Sequence, residues 1–333
     1  MKLQERISIL YDLGQHLQNI GDEWLRAKNK AFITNPWFIP GYIELAVQNI
    51  TRYYLDRDAL AQWAQSYNIP GDNINPSTVG LTMAGNIPLV GFHDWLTIFL
   101  SGHYQFVKPS SQDDVLIGYI FDYLHQTYPE TAKYFCLAER LNGCNAYIAT
   151  GSNNSARYFE YYFGKYPNII RKNRTSAAIL TGLETPEELS LLADDILLYF
   201  GLGCRNVSKI FVPKGYDFEP LLRAMDKFAW MKDHTKYRNN YDYQLSLLIL
   251  NNKYYMCNEA ALLVENKDFF SPISQVNYEY YHEAPQGLME SFGDTLQCVC
   301  GKGTTPFGRA QYPQLADYAD GVDTMAFALG LKN

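Results

Sequence analysis

The chain of 333 residues has 35 acidic and 28 basic side chains, which gives a net charge of −7 with neutral histidine. This balance, without any run of lysine and arginine, argues against a nucleic-acid-binding protein and against attraction to an anionic membrane surface. Hydrophobic residues make up 47% and charged residues 19%, a composition that excludes a disordered chain and fits two domains of ordinary size.

The first 70 residues are predicted to be helical. Hydrophobic side chains such as Ile7, Leu10 and Leu17 recur at spacings that fall on one face of a helix. Asn35-Pro36 breaks this pattern, and a second helical region follows it. A polar segment rich in proline and glycine, residues 68–78, then separates this region from the rest of the chain.

From Val79 onward, short apolar runs alternate with longer amphipathic ones. This alternation predicts an α/β fold with a mostly parallel sheet. Asp113 and Asp114 are expected in the first turn of a helix, where the helix dipole favours acidic side chains. The last hundred residues alternate less cleanly. Predicted strands cover 79–85, 103–110, 145–151, 176–181 and 208–213, and predicted helices cover 86–102, 111–128, 152–164 and Pro186 to about Phe200.

Three junctions between predicted elements carry candidate functional residues. At the first, Asn86 follows a strand, and a helix is predicted to start near Pro88. Ligands of parallel sheets collect at the carboxyl ends of strands, and an asparagine amide there can donate a hydrogen bond to a developing oxyanion. An ordinary helix N-cap explains the same residue more simply.

The second junction is the turn Gly151-Ser152-Asn153-Asn154-Ser155, between a predicted strand and a predicted helix. Small and hydroxyl residues at such a place leave backbone N–H groups available for a phosphate. The turn matches neither established glycine-rich nucleotide-binding pattern, and an ordinary polar turn accounts for it equally well.

The third junction is Gly201-Leu202-Gly203-Cys204-Arg205-Asn206, where a helix ends and a strand begins. Flanking glycines allow a substrate to approach the Cys204 sulfur, and the charge of Arg205 favours the nucleophilic thiolate. A small buried cysteine without reactivity is the competing explanation. Cys298 and Cys300 lack zinc-ligand spacing, so no metal site is predicted.

Together, six segments resemble the aldehyde dehydrogenase superfamily in their order and spacing, over Val79 to Gly308. The resemblance is nearest to the acyl-CoA reductase branch, of the bioluminescence fatty-acid reductase type. It implies an α/β fold of two domains, one of them a Rossmann-like cofactor domain. The segments are AGNIPLVGFHDWL, VKPSS, ATGSNNS, FGLGCRNVSKIFVP, DFFSPI and PFGR.

The resemblance also implies site residues. Cys204 corresponds to the nucleophile, and Asn86, with the Cys204 backbone N–H, to the oxyanion hole. The residues that correspond to cofactor-binding positions are Lys108 for the adenosine ribose, Ser110 and Ser111 beside it, Gly151 and Ser152 for the pyrophosphate, Asp268 for the nicotinamide ribose and Phe270 for the nicotinamide site.

Two departures from the family pattern refine the prediction. Ser111 stands where NAD-preferring members often carry a glutamate that repels a 2′-phosphate, which favours NADP(H). Ile170 stands where hydrolytic members carry a general base, an aid worth roughly 10²–10⁴ in rate. An acyl-enzyme without that base survives long enough to be reduced. We therefore expect NADPH-dependent reduction of an acyl-CoA to an aldehyde.

The remaining expectations concern organisation and partners. Residues 1–173 are expected to form the helical segment and cofactor domain, 174–310 the catalytic domain, and 311–333 a tail that returns to the cofactor domain or to a dimer interface. The resemblance implies a homodimer and allows an acyl-transferring partner enzyme. Scattered cysteines and the absence of a signal peptide or a long apolar run predict a cytoplasmic protein without membrane insertion. Two alternatives stay open: an acyl-phosphate reductase, and an acyl-binding protein without catalysis.

Overall fold

The computed structural model describes residues 1–19 and 21–331. It divides into two compact units. The first contains residues 1–173 and the segment from Pro313 onward, and the second contains Arg174–Tyr312. Among the described residues, no helix is both long enough and apolar enough to cross a bilayer.

Four helices open the first unit, as the sequence predicts. Their apolar faces meet in one core, in which Leu10 and Leu13 are fully buried. The last of the four is capped by Asp56, whose carboxylate accepts a hydrogen bond from the Ala59 N–H at 2.9 Å. The helices are α1 (Leu3–Gln18), α2 (Asp22–Thr34), α3 (Pro40–Tyr53) and α4 (Arg57–Ser66).

A five-stranded parallel sheet follows in the same unit, in the order β3-β2-β1-β4-β5. Because β1 is central, the chain winds first to one side and then to the other, and the order reverses between β1 and β4. The elements are β1 (Thr78–Thr82), α5 (Phe92–Leu100), β2 (Tyr104–Lys108), α6 (Asp114–Thr127), β3 (Phe135–Leu137), β4 (Ala146–Thr150), α7 (Asn153–Phe163) and β5 (Asn168–Arg171).

The C-terminal segment completes the first unit. It carries the short helix α12 (Thr324–Leu329). The Arg171 guanidinium donates to the Thr324 hydroxyl at 2.9 Å and forms a buried ion pair with Asp94. The Tyr67 hydroxyl donates to the Asp323 carboxylate at 2.6 Å. These polar contacts fix the segment against α4, α5 and β5.

The second unit contains a six-stranded sheet in the order β11-β6-β7-β10-β9-β8. All neighbouring pairs are parallel except β8 with β9. The elements are β6 (Thr175–Ile179), α8 (Pro186–Leu197), β7 (Val207–Pro213), α9 (Glu219–Met225), α10 (Thr235–Leu250), β8 (Met256–Cys257), β9 (Leu262–Glu265), β10 (Gln275–Tyr281), α11 (Leu288–Phe292) and β11 (Leu296–Cys300).

The predicted α/β alternation is confirmed, but the predicted start of α5 is wrong. The helix begins at Phe92 rather than near Pro88. Leu89 has φ = 56°, a left-handed conformation that a right-handed helix cannot contain. Its N–H donates to the Asp113 carboxylate at 2.6 Å. Asp113 therefore precedes α6 and supports the loop before α5, while Asp114 alone lies in the first turn of α6.

Candidate functional site

The predicted cofactor residues of the first unit meet at one edge of its sheet. Thr82, at the end of β1, lies beside Lys108 on β2 and Ala149 on β4. The loops that follow these three parallel strands consequently start at the same carboxyl edge, which is where open α/β sheets bind ligands. The residues gathered there are Asn86, Lys108, Ser110, Ser111, Gly151 and Ser152.

The loop that carries Asn86 packs against the loop after β2. A side chain at Gly85 would place its Cβ 2.7 Å from the Ser110 side chain, so the two loops approach as closely as they do only because residue 85 is glycine. The hydrogen bond from Leu89 to Asp113 fixes the other end of the loop. Burial holds the pKa of the Asp113 carboxyl well above its usual range. The Asn86 side chain is exposed.

Lys108 is the last residue of β2, and Ser110 and Ser111 lie in the loop that follows it. Lys108 and Ser111 are exposed, so both are available to a ligand. The Ser110 hydroxyl is half-buried and accepts a hydrogen bond from the Gln112 N–H at 3.2 Å. Its contribution is therefore to the shape of this turn, while the two neighbouring side chains face outward.

The turn Gly151-Ser152 forms the N-terminus of α7. The Ser152 hydroxyl caps the helix by accepting from the Ser155 N–H at 3.2 Å. A Cβ at Gly151 would lie 2.9 Å from both Phe159 and Ser155, so glycine allows the strand to run directly into the helix. The N–H groups of the first turn of this eleven-residue helix and the helix dipole suit a phosphate.

In the second unit, Cys204 lies on a strained loop between α8 and β7. Tyr199 and Phe200 have φ = 55° and 57°, and Gly201 has φ = 72°. A left-handed conformation costs a non-glycine residue roughly 1–2 kcal/mol, and such residues cluster at functional sites. Both aromatic side chains are buried, and this burial holds the backbone in place. The Cys204 thiol itself is half-buried.

Asn206 holds this loop from inside. Its side-chain amide lies within hydrogen-bond distance of three carbonyl oxygens, of Asp195 at 3.1 Å, Ile196 at 3.2 Å and Leu198 at 2.9 Å. Its side-chain oxygen accepts from the Gly203 N–H at 2.8 Å. Asn206 is only 2% exposed. Asn206 ends the third junction, but nothing in the local sequence distinguishes it from any asparagine in a turn.

The segment with Asp268 and Phe270 lies at the same edge of the second sheet as Cys204. The Asn277 amide donates to the carbonyl oxygens of Asp268 at 2.9 Å and Phe270 at 3.0 Å. The Ser208 hydroxyl, on β7 just beyond the cysteine loop, donates to the Phe269 carbonyl at 2.6 Å. Both predicted side chains, Asp268 and Phe270, are exposed. The structure thus gathers these two residues and Cys204 at the amino edge of β7 and β10.

Ile170, the predicted replacement of a general base, lies half-buried on β5 of the first unit. Within residues 1–19 and 21–331, no group of histidine, cysteine and acidic side chains could hold a metal ion.

Several solved structures share this architecture. Aldehyde dehydrogenase 21 from Physcomitrella patens, in complex with the reaction product succinate, matches with a TM-score of 0.66 and 11% identity, over 91% of this chain and 74% of that chain. An aldehyde dehydrogenase from Bacillus cereus in its NAD+ complex matches with 0.62 and 14%, over 90% and 72%. The chain has the fold of the aldehyde dehydrogenases. An NADP-dependent enzyme from E. coli matches similarly, with 0.66 and 11%, over 90% and 73%.

Identities this low establish the aldehyde dehydrogenase fold, with its Rossmann-like unit, and nothing about the reaction. No protein-family profile matches the sequence, and no curated protein matches it.

Proposed function

We propose that the protein reduces acyl-CoA thioesters to aldehydes with NADPH, through an acyl-enzyme on Cys204. The observation that carries this proposal is the construction of the cysteine loop. Two consecutive aromatic residues keep strained left-handed conformations in this loop, and the buried Asn206 holds it in place. The loop presents Cys204, whose thiol is half-buried. Strain maintained at this cost is typical of a reactive position.

The surroundings of Cys204 suit a nucleophile. Gly203 precedes the cysteine and Gly201 lies two residues further back. Because glycine has no side chain, a substrate can approach the Cys204 sulfur closely. Arg205 follows directly, and a neighbouring positive charge favours the thiolate, which is the attacking form of cysteine.

The first unit supports a dinucleotide cofactor. The N-terminus of α7 suits the pyrophosphate, and glycine at position 151 lets the strand run directly into this helix. Lys108 is exposed at the same edge of the sheet for a ribose, and Ser111 can donate to a 2′-phosphate. The solved neighbours include a complex with NAD+ and an NADP-dependent enzyme. Ser111 favours NADP(H) here because it brings no negative charge.

In the proposed reaction, the Cys204 thiolate attacks the thioester carbonyl carbon, and Asn86 donates a hydrogen bond to the oxygen as it becomes negative. The bond from carbon to the CoA sulfur breaks, CoA leaves as a thiolate that takes up a proton, and the acyl group stays on Cys204. NADPH, when bound, supplies the hydride that reduces this acyl group. The resulting hemithioacetal releases the aldehyde and restores the Cys204 thiolate.

The test is NADPH oxidation, followed by absorbance, against a panel of acyl-CoA chain lengths. Cys204→Ala should abolish acyl-CoA-dependent oxidation and leave NADPH binding intact. Cys257→Ala is the matched control, because Cys257 is an exposed thiol of the same unit. Activity retained in Cys204→Ala, or lost equally in the control, would refute the mechanism. An acyl phosphate in place of acyl-CoA in the same assay tests the alternative acyl donor. The homodimer and the acyl-transferring partner enzyme stay predictions.

A further inference from the structure

The Ser176 hydroxyl on β6 lies between Cys204 and a second cysteine. Its oxygen is 3.0 Å from the carbonyl oxygen of Cys204 and 3.1 Å from the sulfur of Cys298, which lies on the adjacent strand β11. Ser176 is fully buried, so water does not substitute for either contact. A serine hydroxyl has one proton, and it can donate to only one of these two groups at a time.

The groups around Cys298 allow its sulfur to be either a thiol, which donates a hydrogen bond, or a thiolate, which accepts one. The hydrogen bond with Cys300 lowers the pKa of Cys298 most, and the Ser176 hydroxyl and the charge of Arg205 add to it, so that the pKa is about 7 despite burial. The same hydrogen bond and burial raise the pKa of Cys300 well above its usual range. The charge of Asp195 on α8 acts in the opposite direction and raises the pKa of Cys298, while burial raises the pKa of Asp195 itself to about 6.

The two forms of Cys298 impose different hydrogen bonds. As a thiol, Cys298 offers its own proton to the Ser176 oxygen, and Ser176 donates to the Cys204 carbonyl. As a thiolate, Cys298 accepts the hydrogen bond of the Ser176 hydroxyl, and the Cys204 carbonyl loses the hydrogen bond from Ser176. The carbonyl belongs to the residue whose sulfur is the proposed nucleophile, so a change at Cys298 reaches the backbone of Cys204.

We propose that Ser176 and Cys298 are positioning residues for Cys204, and that the protonation state of Cys298 decides whether the Ser176 hydroxyl holds the Cys204 carbonyl. The effect of this positioning on catalysis rests on the proposed function. The switch of the Ser176 hydrogen bond between the Cys204 carbonyl and the Cys298 sulfur does not. Neither residue needs to touch the substrate. One of the hydrogen bonds that hold the loop presenting Cys204 is thereby made or lost from within the sheet.

The chain offers a direct probe of this carbonyl. Cys204-Arg205 is the single Cys-Arg pair in the sequence. Protein labelled with carbonyl-¹³C cysteine and ¹⁵N arginine therefore gives one correlation between the Cys204 carbonyl and the Arg205 amide. In the wild type, we expect the carbonyl resonance to move upfield from about pH 6 to about pH 8.5, as the ionisation of Cys298 removes the hydrogen bond.

Three variants separate this exchange from the titration of Cys204 itself. Cys298→Ser keeps a donor to Ser176 but does not ionise in this range, so the resonance should stay at its low-pH position. Ser176→Ala should hold it at the upfield position at every pH. Cys144→Ser, a buried cysteine of the other unit, should titrate like the wild type. A constant wild-type resonance, or an equal titration in Ser176→Ala, would overturn the proposal.

The effect on reactivity is measured by the alkylation rate of Cys204, with mass spectrometry of its peptide. Loss of the hydrogen bond in Ser176→Ala should change this rate about three- to tenfold at pH near 6, whereas the separate variant Cys298→Ser should have the wild-type rate there. Equal rates in Ser176→Ala and wild type would contradict the positioning role. Because neither readout uses acyl-CoA or NADPH, they stand or fail separately from the proposed reaction.

Discussion

Replacement of Asn206 by alanine tests whether the cysteine loop is held from inside. The two amide protons of Asn206 serve two of its three carbonyl partners at a time, and its oxygen serves the Gly203 N–H. Asn206→Ala therefore removes three hydrogen bonds at any instant. At about 1 kcal/mol for each net hydrogen bond, the second unit should lose about 3 kcal/mol of unfolding free energy.

The larger consequence is expected at Cys204. Without Asn206, the left-handed conformations of Tyr199 and Phe200 lose the contacts that hold the following turn, and the loop relaxes toward ordinary backbone angles. Amide hydrogen exchange over residues 198–206 should become faster, and the alkylation rate of Cys204 should change with it. Both are measured by mass spectrometry on the same peptides, beside urea unfolding.

Asn258→Ala is the matched control. Asn258 also bridges chain segments in the second unit, because its amide donates to the Leu222 carbonyl at 2.8 Å and its oxygen accepts from the Ala260 and Ala261 N–H groups at 3.0 and 2.9 Å. This variant should lose stability and leave Cys204 reactivity unchanged. Equal effects of the two variants on Cys204, or no effect of Asn206→Ala on exchange in the loop, would refute the reasoning.

Three further predictions concern the first unit. Asn86→Ala should lower turnover by about 10²–10³, the loss typical of one oxyanion donor, with NADPH binding unchanged by fluorescence titration; equal loss in both would contradict the assigned role. Ser111→Glu should raise the KM for NADPH relative to NADH by at least about fivefold, from about 1 kcal/mol of repulsion, and an unchanged ratio would contradict a nearby 2′-phosphate. Because burial raises the pKa of Asp113, the folded state favours its protonated form, and the stability that this residue contributes is present below about pH 4 and lost as pH rises. Asp113→Asn should therefore make the urea midpoint fall less steeply with pH than in the wild type. Parallel curves of urea midpoint against pH for the two proteins would contradict this.

The sequence predicted the elements that depend on local pattern. The N-terminal helices, the strands that lead to Lys108 and Gly151, and the strand after Cys204 follow from hydrophobic spacing and from glycine and proline positions. The start of α5 was not predictable in this way, because the conformation of Leu89 is fixed by Asp113, 24 residues later in the chain. Nothing in the short segment around Pro88 shows that contact.

The supporting residues of the candidate site are the least visible in the sequence. Ser176 and Cys298 are separated by 122 positions and meet only because β11 pairs with β6. From the sequence alone, Asn206 cannot be told from an ordinary turn residue, because its partners are backbone carbonyl groups that only the fold brings to it. The resemblance named the side chains that would face a substrate, but those that hold them in place are defined by strand pairing and burial.

The return of the C-terminal segment has a consequence for protein synthesis. The first unit leaves the ribosome with Asp94 and Arg171 made, but Thr324 emerges only after the whole second unit, an interval of roughly ten to thirty seconds at ordinary elongation rates. The later-encoded unit is thus the one whose chain is complete first. A nascent polypeptide stalled just before Thr324 would contain the whole chain of the second unit, while the buried Arg171 would have its Asp94 ion pair but not yet the Thr324 hydroxyl.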